Sequence, residues 1–227
     1  MITGTAHLGD GYVTRFQQTT WGDARNAASG TNMSANQVGH AHGAAAYRIP
    51  ARTGGFIFSI YRSFFNFDTS QITKPVESAT IKIHGFSENS GDIILAKATP
   101  DIAILGLADF NAIDGWDYSL TTGAGHGTNV NNITIYSVKD HNLAAEGVQS
   151  YWSDTSYNNI VLSTAALSDI HLRDNLYVCL LNYTYDVLDI VPTDETGKNG
   201  FYYADSAGGK PILECHLHNA VFMGTNF

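Results

Sequence analysis

The sequence is short of charged side chains, and above all of basic ones. Asp, Glu, Lys and Arg make up 15% of the 227 residues, against roughly 25% in typical soluble domains. The 12 Lys and Arg face 21 Asp and Glu, for a formal net charge of −9. Because nucleic-acid binding and attraction to anionic lipid both depend on basic residues, this composition argues against either partner.

Cysteines and long apolar runs are also scarce. The two cysteines, Cys179 and Cys215, lie in apolar, strand-like runs. This favours a reduced, buried pair, with a disulfide between neighbouring strands as the alternative. No apolar stretch reaches the roughly 18 residues that span a bilayer, and no basic segment followed by an apolar one comes after Met1. These absences predict a protein made in the cytoplasm without a secretory signal.

What the chain does contain is alternation of apolar and polar residues. In segment 78–87, Ile81 and Ile83 alternate with Lys82 and His84, which is typical of a strand with one buried face. Segment 55–68 is apolar on both parities, which predicts a central strand covered on both sides by a loop or a neighbouring subunit. Further strands are predicted at 9–16, 92–98, 132–138, 159–163, 175–185, 199–204 and 210–218.

Two segments break this alternation. Residues 22–45 are rich in Gly, Ala, Asn and Ser, which predicts a long surface loop with at most one short strand. Residues 140–152 carry apolar side chains at spacings of three and four, which predicts one short helix that ends in Trp152 and crosses an end of the fold.

The pattern as a whole predicts an all-β protein. Many short strands with a single helix favour a jelly-roll β-sandwich of about eight to ten antiparallel strands. We assign residues 1–218 to a single domain, followed by a short C-terminal tail at 219–227.

Three segments, in order along the chain, carry a family resemblance. They are YRSFFNFDTSQITKPVESATIKI at 61–83, SVKDHNLAAEGVQSYWSDTSYNNIVLS at 137–163 and GFYYADSAGGKPILECHL at 200–217. Together they resemble the DNRLRE-type (disaggregatase-related) β-sandwich domain, found in bacteriophage structural proteins and bacterial surface proteins. Two departures are Ala204-Asp205, where the family has Ser and Glu, and the long 22–45 segment. The resemblance implies a fold more than a function.

Aromatic residues in polar surroundings are candidates for stacking on a sugar. Trp116 lies between acidic and glycine residues, and Tyr118 and Tyr157 lie in similarly polar stretches. Sugar contact through these three side chains would favour a carbohydrate-binding role. The alternative for Trp116 is packing over the end of the sandwich.

Metal ligation is a second possibility. His216 and His218 share one face of a predicted strand, as do His40 and His42, and paired imidazoles can bind a divalent metal. Asp10 and Asp68, with Glu77 and Asp205, could supply oxygens to a structural ion such as calcium if the fold gathered them. The alternatives are ordinary exposed histidines and, for Asp68, a carboxylate that accepts backbone hydrogen bonds where a strand turns.

No short catalytic motif such as G-x-S-x-G or H-E-x-x-H occurs in the sequence. We therefore expect a non-enzymatic protein. The family resemblance, together with the missing secretory signal, implies a virion protein, such as a capsid decoration or a head or tail fibre component. It would assemble as a dimer or trimer with other virion proteins and would contact a host surface glycan. A carbohydrate-binding module or adhesin domain is the alternative, and a jelly-roll hydrolase is a third. Assembly contacts are expected from the apolar residues of the tail, Val221, Phe222, Met223 and Phe227.

Overall fold

The computed structural model describes residues 1–5, 10–35, 37, 39–99, 105–116, 132–138, 148–149, 152–195 and 197–218. Every strand pairing in these residues is antiparallel. The predicted all-β sandwich is therefore confirmed. The strands are β1 Ile2–Thr5, β2 Gly11–Gln18, β3 Asn32–Ala35, β4 His40–Pro50, β5 Phe56–Asp68, β6 Val76–Asn89, β7 Ile93–Lys97, β8 Val148–Gln149, β9 Tyr157–Val161, β10 Asn175–Asn182, β11 Lys198–Tyr202 and β12 Ile212–Leu217. The helices are α1 Trp21–Arg25 and α2 Thr164–Leu172, with a 3-10 helix at Leu107–Asn111 and a π-helical turn at Tyr183–Val187.

Two sheets form the sandwich. The first sheet has the order β1-β12-β6-β9. The second sheet is built around β5, which pairs with β2 along one edge, and β2 in turn pairs with β3. The other edge of β5 is shared, because β4 pairs with its first half and β10 with its second half. Strand β10 continues to β7 and β8, and β4 continues to β11.

The long strand β6 joins the two sheets. Its first half pairs with β12 and β9, and its second half pairs with β11, where Gly85 lies opposite Phe201. A β-carbon on Gly85 would lie 1.8 Å from the carbonyl oxygen of Ser153. Only glycine allows this close approach of two backbones at the point where β6 changes sheets.

Strand β5 is buried on both faces, as its sequence predicts. Phe65 and Phe67 point into the core between the two sheets, while Ile60 and Phe64 point to the opposite side. All four side chains are at most 1% exposed. The inter-sheet core also contains Ile81, Ile83, Trp152, Ile160, Leu176, Val178, Phe201, Tyr203 and Leu213.

A second core lies on the outer side of the second sheet. Helix α1, the 3-10 helix and the π-helical turn cover this face, and their buried residues Trp21, Phe110 and Val187 pack on Ile60 and Phe64. The cover predicted over β5 is thus a layer of short helices and loops from the same chain.

The prediction of a long surface loop at 22–45 is wrong. The segment contains most of α1, all of β3 and the start of β4, and Ala44 and Ala45 are fully buried. Its small residues have a packing function: a β-carbon on Gly43 would lie 1.7 Å from the ring of Phe201. A Gly- and Ala-rich strand has little apolar contrast between its faces, so its periodicity was hidden.

The predicted helix at 140–152 falls mostly outside the described residues. Where that segment is described, Val148 and Gln149 form a strand that pairs with Ile94 and Ile93, so a helix through these two residues is wrong. Trp152 is buried, as expected, but it lies outside any helix or strand. The longest described helix is α2, with nine residues, and no described helix could span a membrane.

Both cysteines are free and buried, which confirms the predicted reduced pair. Burial raises the pKa of the Cys179 thiol well above its ordinary value and that of Cys215 to about 11. Since the thiolate is the reactive form, neither cysteine is poised for chemistry.

Candidate ligand-binding cleft

Trp116 packs against two buried arginines. The guanidinium carbon of Arg62 lies 4.2 Å from the centroid of a Trp116 ring, and that of Arg25 lies 4.9 Å away. Trp116 is half-buried, and its ring belongs to the second core. The structure therefore supports the packing alternative for Trp116.

The arginines under Trp116 belong to a buried ionic network. Arg62 donates from Nε and Nη2 to the two carboxylate oxygens of Asp186 at 2.8 and 2.7 Å. Arg62 also donates to the carbonyl oxygen of Phe110 at 2.8 Å and to Oδ1 of Asn111 at 2.6 Å. Arg25 donates to the carbonyl oxygen of Asp186 at 2.6 Å. The network fastens three covering elements to β5, so its role is structural.

The other two candidate sugar contacts have different positions. Tyr118 lies outside the described residues. Tyr157 is exposed on β9, where its hydroxyl donates to the carbonyl oxygen of Lys210 at 3.2 Å. It begins a surface row of rings that runs through His84 and Tyr202 to Phe86, with centroids 5.1 to 5.3 Å apart.

The candidate metal ligands do not converge. His216 and His218 are exposed on and just after β12, Asp68 is at the end of β5, and Asp10 is fully buried. Asp68 Oδ1 accepts hydrogen bonds from the backbone N–H and the hydroxyl of Ser70, which is the turn role considered above. Within the described part of the chain, no group of three or more His, Cys, Asp or Glu could hold a metal ion.

Asp10 has a strongly perturbed carboxyl group. Burial raises its pKa to about 7, and the negative charge of Asp205 adds to the rise, although the backbone N–H of Ala204 donates to Oδ2 at 2.6 Å. Because Asp10 has no exposed surface, the Asp10–Asp205 pair does not supply the cleft-facing acid that a hydrolase needs.

A cavity of about 280 Å³ opens where the two sheets meet at one end of the sandwich. Strands of the second sheet contribute Tyr12, His42 and Tyr61, and β6 contributes its last residues. We call this cavity the tyrosine cleft. It is lined by Tyr12, Ala41, His42, Tyr61, Phe86, Ser87, Glu88 and Gly200.

The aromatic wall of the tyrosine cleft continues the inter-sheet core. Tyr12 contacts Tyr61 with ring centroids 5.5 Å apart and Tyr203 at 6.5 Å, and Tyr203 stacks on Phe65. Tyr61 in turn stacks on Tyr47. Burial raises the pKa of both Tyr12 and Tyr61. The two phenols therefore stay neutral, and each hydroxyl can donate as well as accept a hydrogen bond.

The polar wall of the cleft is a contact between His42 on β4 and Glu88 on β6, the two strands that flank β11. Nδ1 of His42 contacts Oε2 of Glu88, and both side chains are partly exposed, at 40% and 28%. The His42 ring also meets the ring of Tyr61 edge to face, with centroids 5.7 Å apart. This pair places an imidazole and a carboxylate beside an aromatic surface, as expected in sites that bind small polar molecules.

The backbone around the cleft is unusual at two positions. Ser87 has a φ of +62°, in the left-handed region that non-glycine residues seldom adopt. A β-carbon on Gly200 would lie 2.2 Å from the carbonyl oxygen of Phe86. A left-handed non-glycine residue such as Ser87 is more common at functional sites, and it immediately precedes Glu88 on β6.

Sequence reasoning missed this site. It considered His42 only as a metal ligand paired with His40, whose side chain the structure does not describe. It did not single out Tyr12, Tyr61 or Glu88 as site residues. Tyr61 was the available signal, because the hydroxyl of a tyrosine in a strand buried on both faces needs a hydrogen-bond partner or access to solvent. The tail residues Val221, Phe222, Met223 and Phe227 lie outside the described residues. No protein-family model matches the chain, and no curated protein matches it.

Proposed function

We propose that this protein is a non-enzymatic accessory protein of a bacteriophage virion, a capsid decoration or fibre component that presents the tyrosine cleft to a ligand. The proposal includes assembly with itself and with other virion proteins through the apolar tail at 219–227. The protein would act on the phage particle, where it would recognise and bind a ligand.

One observation carries the proposal. The three segments that resemble the DNRLRE-type domain lie side by side in the fold, although 53 residues separate the first from the second and 36 separate the second from the third. Strand β6, which begins in the first segment, pairs with β9 from the second and with β12 from the third. The segments that carry the resemblance are thus also neighbours in the fold. This supports the relationship to β-sandwich domains of phage structural proteins, and with it the proposed role.

The test is to locate the chain in purified particles. Antibodies against the full chain are applied to phage particles banded in a density gradient, followed by immunogold electron microscopy and quantitative mass spectrometry. We expect label at one defined position on the particle and a copy number that is a multiple of two or three. A chain found only in the soluble lysate, at no fixed ratio to the major capsid protein, contradicts the proposal.

A carbohydrate-binding or adhesin domain is the second candidate, and the tyrosine cleft favours it. Aromatic rings beside a polar pair suit a sugar on any scaffold, in a virion or on a cell. The same antibodies applied to intact bacterial cells separate the two: label on the cell surface, with none on particles, favours the adhesin.

A further inference from the structure

We propose that the tyrosine cleft binds a neutral pyranose sugar and rejects its anionic counterpart. This inference rests on the proposed function in one respect, that the cleft is the recognition site of the protein. It names the class of ligand and the side chains that choose it.

The shape of the cleft suits one sugar ring or a disaccharide. Its volume of about 280 Å³ lies at the small end of the range, ~300–1,000 Å³, that small-molecule sites occupy. Tyr12 and Phe86 are half-buried at its wall, so part of each ring is accessible to a ligand. The C–H face of a pyranose is apolar and can pack on such rings, while its hydroxyls remain free to reach polar groups.

The His42–Glu88 pair offers hydrogen-bonding groups to the hydroxyls of a sugar. Nδ1 of His42 contacts Oε2 of Glu88, so Nε2 of the imidazole and Oε1 of the carboxylate are the atoms of the pair that a ligand hydroxyl can engage. The hydroxyl of exposed Ser87 can donate or accept. Vicinal sugar hydroxyls, which donate and accept in turn, match this set.

Charge excludes an acidic sugar. Glu88 is the charged carboxylate of the cleft, and no Lys or Arg is among its described lining residues. Beside the cleft, Lys198 has its Nζ 3.9 Å from Oε1 of Glu88, 3.5 Å from Glu195 and 4.6 Å from the centre of the Tyr47 ring. With this cation already engaged, a sugar carboxylate would meet like charge at Glu88.

The test compares two sugars that differ only at one carbon. The full chain is titrated with methyl galactoside and methyl galacturonide, with methyl glucoside, methyl mannoside and N-acetylglucosamine as further neutral probes. Binding is measured by saturation-transfer NMR and calorimetry. We expect a neutral glycoside to bind with a Kd on the order of millimolar, and the galacturonide to bind at least tenfold more weakly than the galactoside.

Three variants locate the site. Tyr12→Ala and Glu88→Gln should each weaken binding roughly tenfold, through lost stacking and lost hydrogen bonding. Tyr157→Ala is the matched control, because it removes an exposed tyrosine at the far end of the ring row, outside the cleft. Circular dichroism checks that each variant is folded, and Glu88→Gln, at a partly exposed side chain, keeps the test valid if Tyr12→Ala unfolds.

Three results overturn the inference: no binding of any neutral probe, preference for the galacturonide, or loss of binding in Tyr157→Ala with full binding in Glu88→Gln. The experiment on phage particles gives a result that is independent of sugar binding. A chain that sits on the virion but binds no sugar overturns only this inference, whereas a chain that binds sugar but is absent from virions overturns only the virion role.

Discussion

Single buried charges decide much of this structure. Arg62 lies in the most apolar strand of the chain, yet its guanidinium is fully buried and forms paired hydrogen bonds with Asp186. Removing one partner of such a pair costs about 3–5 kcal/mol, because the other charge is left buried and unpaired. The surface pair Lys82–Glu214, at 2.7 Å, contributes at most about 1 kcal/mol. The sequence shows Arg62 as a break in an apolar pattern, but only the fold supplies its partner from 124 residues away.

Asp10 makes the stability of the protein depend on pH. Its pKa in the folded chain is about 7, above the ordinary value of 3.8, so the folded state holds this proton more tightly than the unfolded state. The carboxyl therefore lowers the free energy of unfolding as pH rises from about 4 to about 7, and the loss is complete above that range. The total decrease in the free energy of unfolding is at most roughly 4 kcal/mol. Asp10→Asn removes this pH dependence. The free energy of unfolding of the variant, minus that of wild type, should therefore increase from pH 5 to pH 8, as measured by chemical denaturation.

The control for Asp10 is Asp174→Asn, which changes an exposed carboxylate in the same way. Its stability should follow that of wild type at both pH values. A constant difference between Asp10→Asn and wild type across pH 5 to 8 would show that Asp10 is already ionised in the folded protein.

At the scale of elements, β6 organises the sandwich. It pairs with β12 and β9 in one sheet and with β11 at the junction to the other. Its alternation was readable in the sequence, because one face is buried and the other is half-exposed along its first half. The junction was not readable, since Gly85 shows its reason only against the backbone of Ser153.

Gly85→Ala should destabilise the sandwich at this junction. The new methyl would overlap the Ser153 carbonyl oxygen, and relieving the overlap must move backbone, at a cost of about 1–3 kcal/mol. Gly22→Ala is the control: nothing lies within 4 Å of its added methyl, and it is in helix α1. We expect Gly22→Ala to be neutral or to stabilise by up to about 1 kcal/mol. Urea unfolding measures both, and equal effects of the two substitutions would refute the junction argument.

For the whole molecule, the two cores share their central strands. β5 contributes Phe65 to the inter-sheet core and Phe64 to the second core, and β10 contributes Val178 and Cys179 in the same way. A cover that unfolded alone would expose the apolar outer face of the second sheet. We therefore expect the two cores to unfold together in one transition.

The three tryptophans report on the unfolding of the two cores separately. Trp152 belongs to the inter-sheet core, while Trp21 and Trp116 belong to the second core. A Trp21→Phe, Trp116→Phe double variant and a Trp152→Phe variant thus follow one core each by fluorescence. Within each variant the fluorescence midpoint in urea should coincide with that from far-ultraviolet circular dichroism. A separate, earlier fluorescence transition in the Trp152→Phe variant would show that the cover unfolds independently.

The sequence by itself determined the class of fold and the central position of β5, and it favoured the reduced cysteines, while it left the turn role of Asp68 as an alternative to metal ligation. Each of these depends on local alternation or on side-chain chemistry, which can be read within a few residues. Only the tertiary structure decided that 22–45 enters the core, that Trp116 packs on arginines and that Tyr12, His42, Tyr61 and Glu88 meet in one cleft. These contacts join strands far apart in the chain, and their pairing depends on register and close backbone approach, which no single segment encodes.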